Sequence, residues 1–178
     1  MSEVSANVAP AAALPLAQSG WRWLPLTLLV IVLDQLVKAW VVQHLHLFER
    51  VRLLPLLDII LTYNTGAAFS FLADAAGWQR WLFVVLALGV SVLLIAWMRR
   101  LRASSQGLLA CGLALIVGGA LGNLIDRLLH GRVVDFVHAH WGEHYFPAFN
   151  VADSAITIGA ALLLLDALLE SRRGRSRS

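Results

Sequence analysis

Four long apolar stretches organise the chain, at residues 23–42, 81–98, 108–129 and 151–169. Each approaches the roughly 20 apolar residues that cross a bilayer as a helix. The pattern therefore predicts an all-α integral membrane protein with four transmembrane helices. The segments between them read differently. Residues 43–80 contain a stretch from Val51 to Tyr63 that is rich in strand-forming residues but too short and interrupted to span. It predicts a small β-rich element lying on the membrane surface. Asn64-Thr65-Gly66 is a turn signal, followed by an apolar run over residues 67–72. Residues 130–149 mix four histidines with Trp141, Tyr145 and Phe146. That mixture suits an interfacial loop or helix, a flap above a site. No internal repeat stands out.

The flanking residues support the spans and orient them. Trp21, Trp23, Trp40, Trp78, Trp81, Trp97 and Trp141 all fall at a span end or in a loop. Indole prefers the headgroup level, so this is the aromatic belt of a membrane protein. Arg99, Arg100 and Arg102 fill the link between spans two and three, and Arg172, Arg173, Arg175 and Arg177 fill the C-terminal tail. Four spans put that link and both termini on one side, which positive charge marks as cytoplasmic. Arg50, Arg52, Arg80 and Arg132 dilute the contrast. The expected division is a disordered cytoplasmic start over residues 1–20, a four-span domain over 21–170 with outer loops at 43–80 and 130–150, and a basic cytoplasmic tail over 171–178. Residues 1–20 carry no Lys or Arg, so they lack the basic start of a cleavable signal peptide.

Composition agrees. Of the 178 residues, 59% are hydrophobic and 14% charged, against roughly 25% charged in a soluble domain. A soluble protein so composed could not cover its surface with polar groups. The net charge of +3 comes largely from the cytoplasmic arginines, which would meet anionic lipid rather than nucleic acid. Cys111, the single cysteine, makes no intrachain disulfide and reads as a small packing residue.

Polar residues inside or beside the spans are the candidate chemistry. Asp135 follows the third apolar stretch and Asp153 opens the fourth. One short loop would hold both carboxylates on the same side at the same depth. Two close carboxylates tend to share one proton, so one can act as base and the other as acid. Water-mediated hydrolysis of an amide needs both roles. Each aspartate also has a plainer reading: Asn150 could cap the fourth helix with Asp153 in its first turn, and Asp135 could be a loop acid. Asn64, Asn123, Arg127 and Asn150 are expected nearby, with Arg127 lowering and orienting a carboxylate. Asp34 and Lys38, four apart, share a helix face and read as a neutralised structural pair. Gly118 and Gly122 form a GxxxG packing surface. Asp126 would pair with an arginine or cap the helix end. His140 and His144 have ligand spacing only if helical, and the histidines read as surface residues at the lipid interface.

Five blocks resemble the lipoprotein signal peptidases, the type II signal peptidases, over about residues 33–153. They are Asp34-Gln35-Leu36-Val37-Lys38, Asn64-Thr65-Gly66-Ala67-Ala68-Phe69, Gly118-Gly119-Ala120-Leu121-Gly122-Asn123-Leu124-Ile125-Asp126-Arg127, Val133-Val134-Asp135-Phe136 and Phe149-Asn150-Val151-Ala152-Asp153. Val37 departs from the family, which often has Ser or Thr there. The resemblance implies an aspartic endopeptidase of the bacterial plasma (inner) membrane. It would cut diacylglyceryl-modified prolipoproteins just before the lipidated cysteine. It also implies Asp135 and Asp153 as the catalytic pair, with Asn64, Gly66, Asn123, Arg127 and Asn150 binding substrate or supporting the site. Asp34 and Lys38 remain structural. No metal or cofactor is implied, and a monomer is expected, with its active site near the outer face. Two rivals differ in class. A proton-coupled transporter would use the acids as a relay, but it lacks an inverted repeat. A non-enzymatic assembly factor would tolerate Asn at both aspartates.

Overall fold

Helices this apolar have no reason to bury themselves in water, and their outward faces show it. The computed structural model describes residues 14–66 and 77–175. Within them α1 (Leu24–His44), α2 (Trp78–Arg100), α3 (Gly107–His130) and α4 (Val151–Arg175) form a bundle. All four are long and apolar enough to cross a membrane. Leu28, Leu36, Val85, Leu93 and Leu164 point outward and stay exposed, as side chains facing lipid do. The helices outrun the apolar stretches by a few residues, most at α4, which continues through Arg172 and Arg173. Basic side chains there suit the negative end of the helix dipole.

α3 is the central helix and packs against the other three. Its glycines make that possible. A Cβ at Gly118 would lie 2.8 Å from Val30 of α1, and one at Gly119 would collide with the carbonyl of Ala152 in α4. The GxxxG surface thus admits α1, while Gly119 admits α4. Thr27 adds a buried hydrogen bond to the Ala114 carbonyl at 2.9 Å.

A four-stranded antiparallel sheet crosses one end of the bundle in the order β1 (Arg50–Leu54), β2 (Leu57–Asn64), β3 (Val133–Trp141), β4 (His144–Tyr145). The flap read over residues 130–149 therefore takes strand form over much of its length, because Val133, Val134 and Val137 pair with β2. Val41 of α1 and Leu45 just after it pack with Leu61, Val134 and Phe136, fastening sheet to bundle. At the opposite end, Met98, Leu101 and Leu113 pack with Trp21 and Trp23.

That opposite end corrects the expected start of order. Leu16–Gln18 and Gly20–Trp23 form 3-10 turns, Ser19 and Gly20 are buried, and Gly20 donates to the Leu101 carbonyl at 3.0 Å. Residues 14–20 are therefore folded onto the α2–α3 link. Residues 1–13, the apolar run 67–72 and tail residues 176–178 lie outside the described residues.

Candidate active site

A turn, a strand and a helix start bring the polar residues together. Gly131, in the left-handed region at φ 73°, ends α3 and turns the chain into β3. A residue with a Cβ rarely adopts that conformation. Four residues later Asp135 sits on β3 opposite Thr62, with Asn64 opposite Val133. Asn150 then starts α4, whose first turn carries Asp153. The structure so brings Asn64, Asn123, Arg127, Asp135, Asn150 and Asp153 to the sheet end of the bundle.

Asparagines hold both carboxylates. Asn150 donates through Nδ2 to Asp135 Oδ1 at 2.7 Å, and its backbone N–H reaches Asp153 Oδ2 at 3.3 Å. Asn64 Nδ2 donates to Asp135 Oδ2 at 3.2 Å, and Asn123 Nδ2 donates to Asp153 Oδ1 at 2.8 Å. Asn150 Oδ1 also accepts from the Asp153 N–H at 2.9 Å, so the expected helix cap is real. Capping uses one Asp153 oxygen and leaves the other to Asn123. Asp135 is no loop acid: it lies in a strand and is 3% exposed. Burial first, then the nearby Asp153 charge, push its carboxyl up to about 7, against the hydrogen bonds from Asn64 and Asn150 and the charge of Lys38. A group so poised can hold or release a proton near neutrality.

Arg127 stands close enough to both carboxylates to interact with their charges, but its hydrogen bonds go elsewhere. Its guanidinium donates to the carbonyls of Asn123 at 3.3 Å and Gly66 at 3.2 Å, and lies over the Phe83 ring. It forms no ion pair with either aspartate among the described residues. Its structural work is to tie the turn after β2 to α3. Gly66 belongs to that turn, its N–H donating to Asn64 Oδ1 at 2.9 Å.

Asp34 and Lys38 pair as expected, at 2.7 Å. The pair is larger than the sequence suggested. Lys38 also contacts Asp126 at 2.9 Å and donates to Asn123 Oδ1 at 2.9 Å. Asp126 thus pairs with a lysine of α1 rather than an arginine, because α3 turns it inward and Arg127 away. Gln35 donates to Asp126 Oδ1 at 2.9 Å and to Asp34 Oδ2 at 3.2 Å.

The two aspartates line a cleft of about 1110 Å³. Asn64, Asn123 and Arg127 line its polar side, and Phe48, Tyr63, Phe146, Phe149, Ile156 and Ile158 line much of the rest. These apolar lining residues were not legible as site residues, since an isolated aromatic carries no signal of facing a cleft. His138 also lines it. One of the histidines is not a surface residue: the His140 side chain is 7% exposed beside Asp58, while half-buried His138 stacks on Tyr145. His140 and His144 lie on paired strands, not a helix, so the helical spacing considered for them does not arise.

The signal peptidase (SPase) II family pattern matches residues 26–169. The chain is 52% identical over 156 residues to the lipoprotein signal peptidase of Pseudomonas aeruginosa (strain UCBPP-PA14), covering 86% of this chain and 92% of that one. It is 51% identical over 162 residues to the lipoprotein signal peptidase of Shewanella oneidensis, covering 90% and 94%. Among solved structures it resembles a bacterial membrane enzyme determined by the in meso method at 2.3 Å, with a TM-score of 0.76 and 29% identity over 85% of this chain and 90% of that one.

Proposed function

The chain belongs to the signal peptidase II family, and from that premise we propose that Asp135 and Asp153 are its catalytic acid–base pair. It is an aspartic endopeptidase that removes signal peptides from prolipoproteins, and a bacterial multi-pass membrane protein. The observation that carries the assignment is the single asparagine bound to both carboxylates: Asn150 donates to Asp135 at 2.7 Å and to Asp153 at 3.3 Å.

In the proposed reaction the pair shares one proton. The ionised aspartate takes a proton from water as its oxygen bonds to the scissile carbonyl carbon. The protonated aspartate donates to the carbonyl oxygen, giving a neutral tetrahedral diol. In its collapse the protonated aspartate gives its proton to the departing amine as the C–N bond breaks, and the other aspartate takes a proton from a diol hydroxyl, which leaves the pair with one proton again. Asn64, Asn123 and Asn150 keep the carboxylates oriented, and Arg127 holds the Gly66 turn beside them. The two acids titrate jointly, so neither is assigned the resting proton.

The substrate is proposed to carry diacylglycerol on the cysteine just after the cut. The apolar side of the cleft supports this, because it offers a surface for acyl chains beside the acids. The site is proposed to face the outer leaflet, with both termini cytoplasmic, in a monomer. Mass spectrometry of products from a prolipoprotein with and without its diacylglycerol tests the reading. The expected result is one cut immediately before the lipidated cysteine and little cleavage of the unlipidated chain. Equal cleavage of both would remove the lipid from the proposal.

A further inference from the structure

Lys38 is a buried cation that the proposed reaction does not use. It lies 3% exposed among Asp34, Asp126 and Asn123. Helix packing does not account for it well, because α1 and α3 are already joined where Gly118 admits Val30 and Thr27 bonds to Ala114. What its partners touch is more informative. Asp34 Oδ1 accepts from the backbone N–H of Ala152 at 2.9 Å, one residue before Asp153. Asp126 Oδ2 accepts from the backbone N–H of Val134 at 3.1 Å, one residue before Asp135. Asn123 accepts from Lys38 through Oδ1, and its Nδ2 meets Asp153.

We infer that Lys38 is a positioning residue that sets the geometry of the catalytic pair through three arms. Two arms are the carboxylates of Asp34 and Asp126, which hold the backbone just ahead of Asp153 and of Asp135. They face each other across the ammonium, and without it their like charges would push them apart. The third arm is the amide of Asn123. An ammonium only donates, so it fixes the amide with oxygen toward Lys38 and nitrogen toward Asp153. Asn150 Nδ2, 3.1 Å from the same oxygen, supports that sense. A reversed amide would turn a carbonyl oxygen onto the Asp153 carboxylate. This inference rests on the acid-pair reading above.

The same cation acts on the pair's proton. The charged groups facing the two aspartates are Lys38 and Asp34 from α1, Arg127 and Asp126 from α3, and each other. His138 of β3 faces the same cleft. Removing Lys38 takes away a positive charge that favours ionised Asp135. The pair should then keep its proton to higher pH.

The test is steady-state cleavage of a diacylglyceryl prolipoprotein by Lys38→Met, across pH, beside wild type, Asp135→Asn and Asp153→Asn. Methionine keeps the length and removes charge and donors. The expected result is KM within about twofold, kcat lower by about 10²-fold, the loss that a misplacement of about 1 Å can cause, and an alkaline limb displaced to higher pH. A variant that only loosened packing would melt earlier but keep the limb. If Lys38→Met does not accumulate folded, Lys38→Met with Asp34→Asn is measured instead, since it removes one charge of each sign, and the same kcat loss is expected. Wild-type kcat and limb, with both Asn variants inactive, would overturn the positioning role alone. Active Asn variants would overturn the acid-pair reading on which it rests.

Discussion

At the residue scale, the proposed chemistry turns on one carboxyl kept protonatable near neutrality. Asp135 is pushed up to about 7 by burial and by Asp153. Catalysis by a pair sharing one proton fails when that proton is lost, and fails again at low pH when both acids are protonated. We therefore predict a bell-shaped dependence of kcat/KM with its alkaline limb near the value of about 7 that Asp135 reaches. Activity unchanged to pH 10 would contradict that. The sign for stability is the same: a raised folded value favours the fold most below the ordinary carboxyl range, and the benefit disappears as pH rises through about 7. That both aspartates and their asparagines would come together was legible in the sequence, because each stands in a short polar motif beside an apolar span. The partner of Asp126 was not. Lys38 precedes it by two spans, and only the approach of α1 to α3 makes them neighbours.

At the scale of elements, α3 is the part on which the site depends. Its glycines let α1 and α4 come close, and α4 carries Asp153 in the turn that meets Gly119. A side chain at Gly119 would meet the Ala152 carbonyl and would come within 2.7 Å of Ile156. Gly119→Val is expected to destabilise the bundle by about 1–3 kcal/mol, as overpacking does, and to abolish most cleavage by displacing Asp153. Gly89→Val on α2, where nothing lies within 4 Å, is the control and should change neither. Thermal unfolding in detergent and cleavage rates check both. If Gly119→Val cleaves at the wild-type rate, α3–α4 contact does not set the site. The helices were legible from length and hydropathy alone. Strands β3 and β4 were not, because histidines and aromatics over residues 137–146 hide the alternation that a half-buried strand would show. The pairing of β3 with β2, and of β4 with β3, is a tertiary fact.

At the scale of the whole molecule, the bundle has two unlike ends. The sheet and the aspartates occupy one, while the other joins residues 16–23 to the α2–α3 link, with Arg99, Arg100 and Arg102 beside it. The proposed orientation puts the arginines in the cytoplasm and the acids at the outer surface. In a Cys111→Ala background, His144→Cys is expected to react with an impermeant maleimide in intact cells, and Ser104→Cys only after lysis. The reverse pattern would invert the orientation. A proton relay across the membrane finds no support in this arrangement, because Asp135, Asp153, Asp34 and Lys38 form one linked cluster toward the sheet end rather than a path. The most direct measurement is cleavage of a diacylglyceryl prolipoprotein by the purified wild-type protein, Asp135→Asn and Asp153→Asn, each verified as folded. The account predicts that each substitution lowers kcat by at least about 10²–10⁴-fold, the worth of a general acid or base. Near-wild-type turnover by either variant would contradict it.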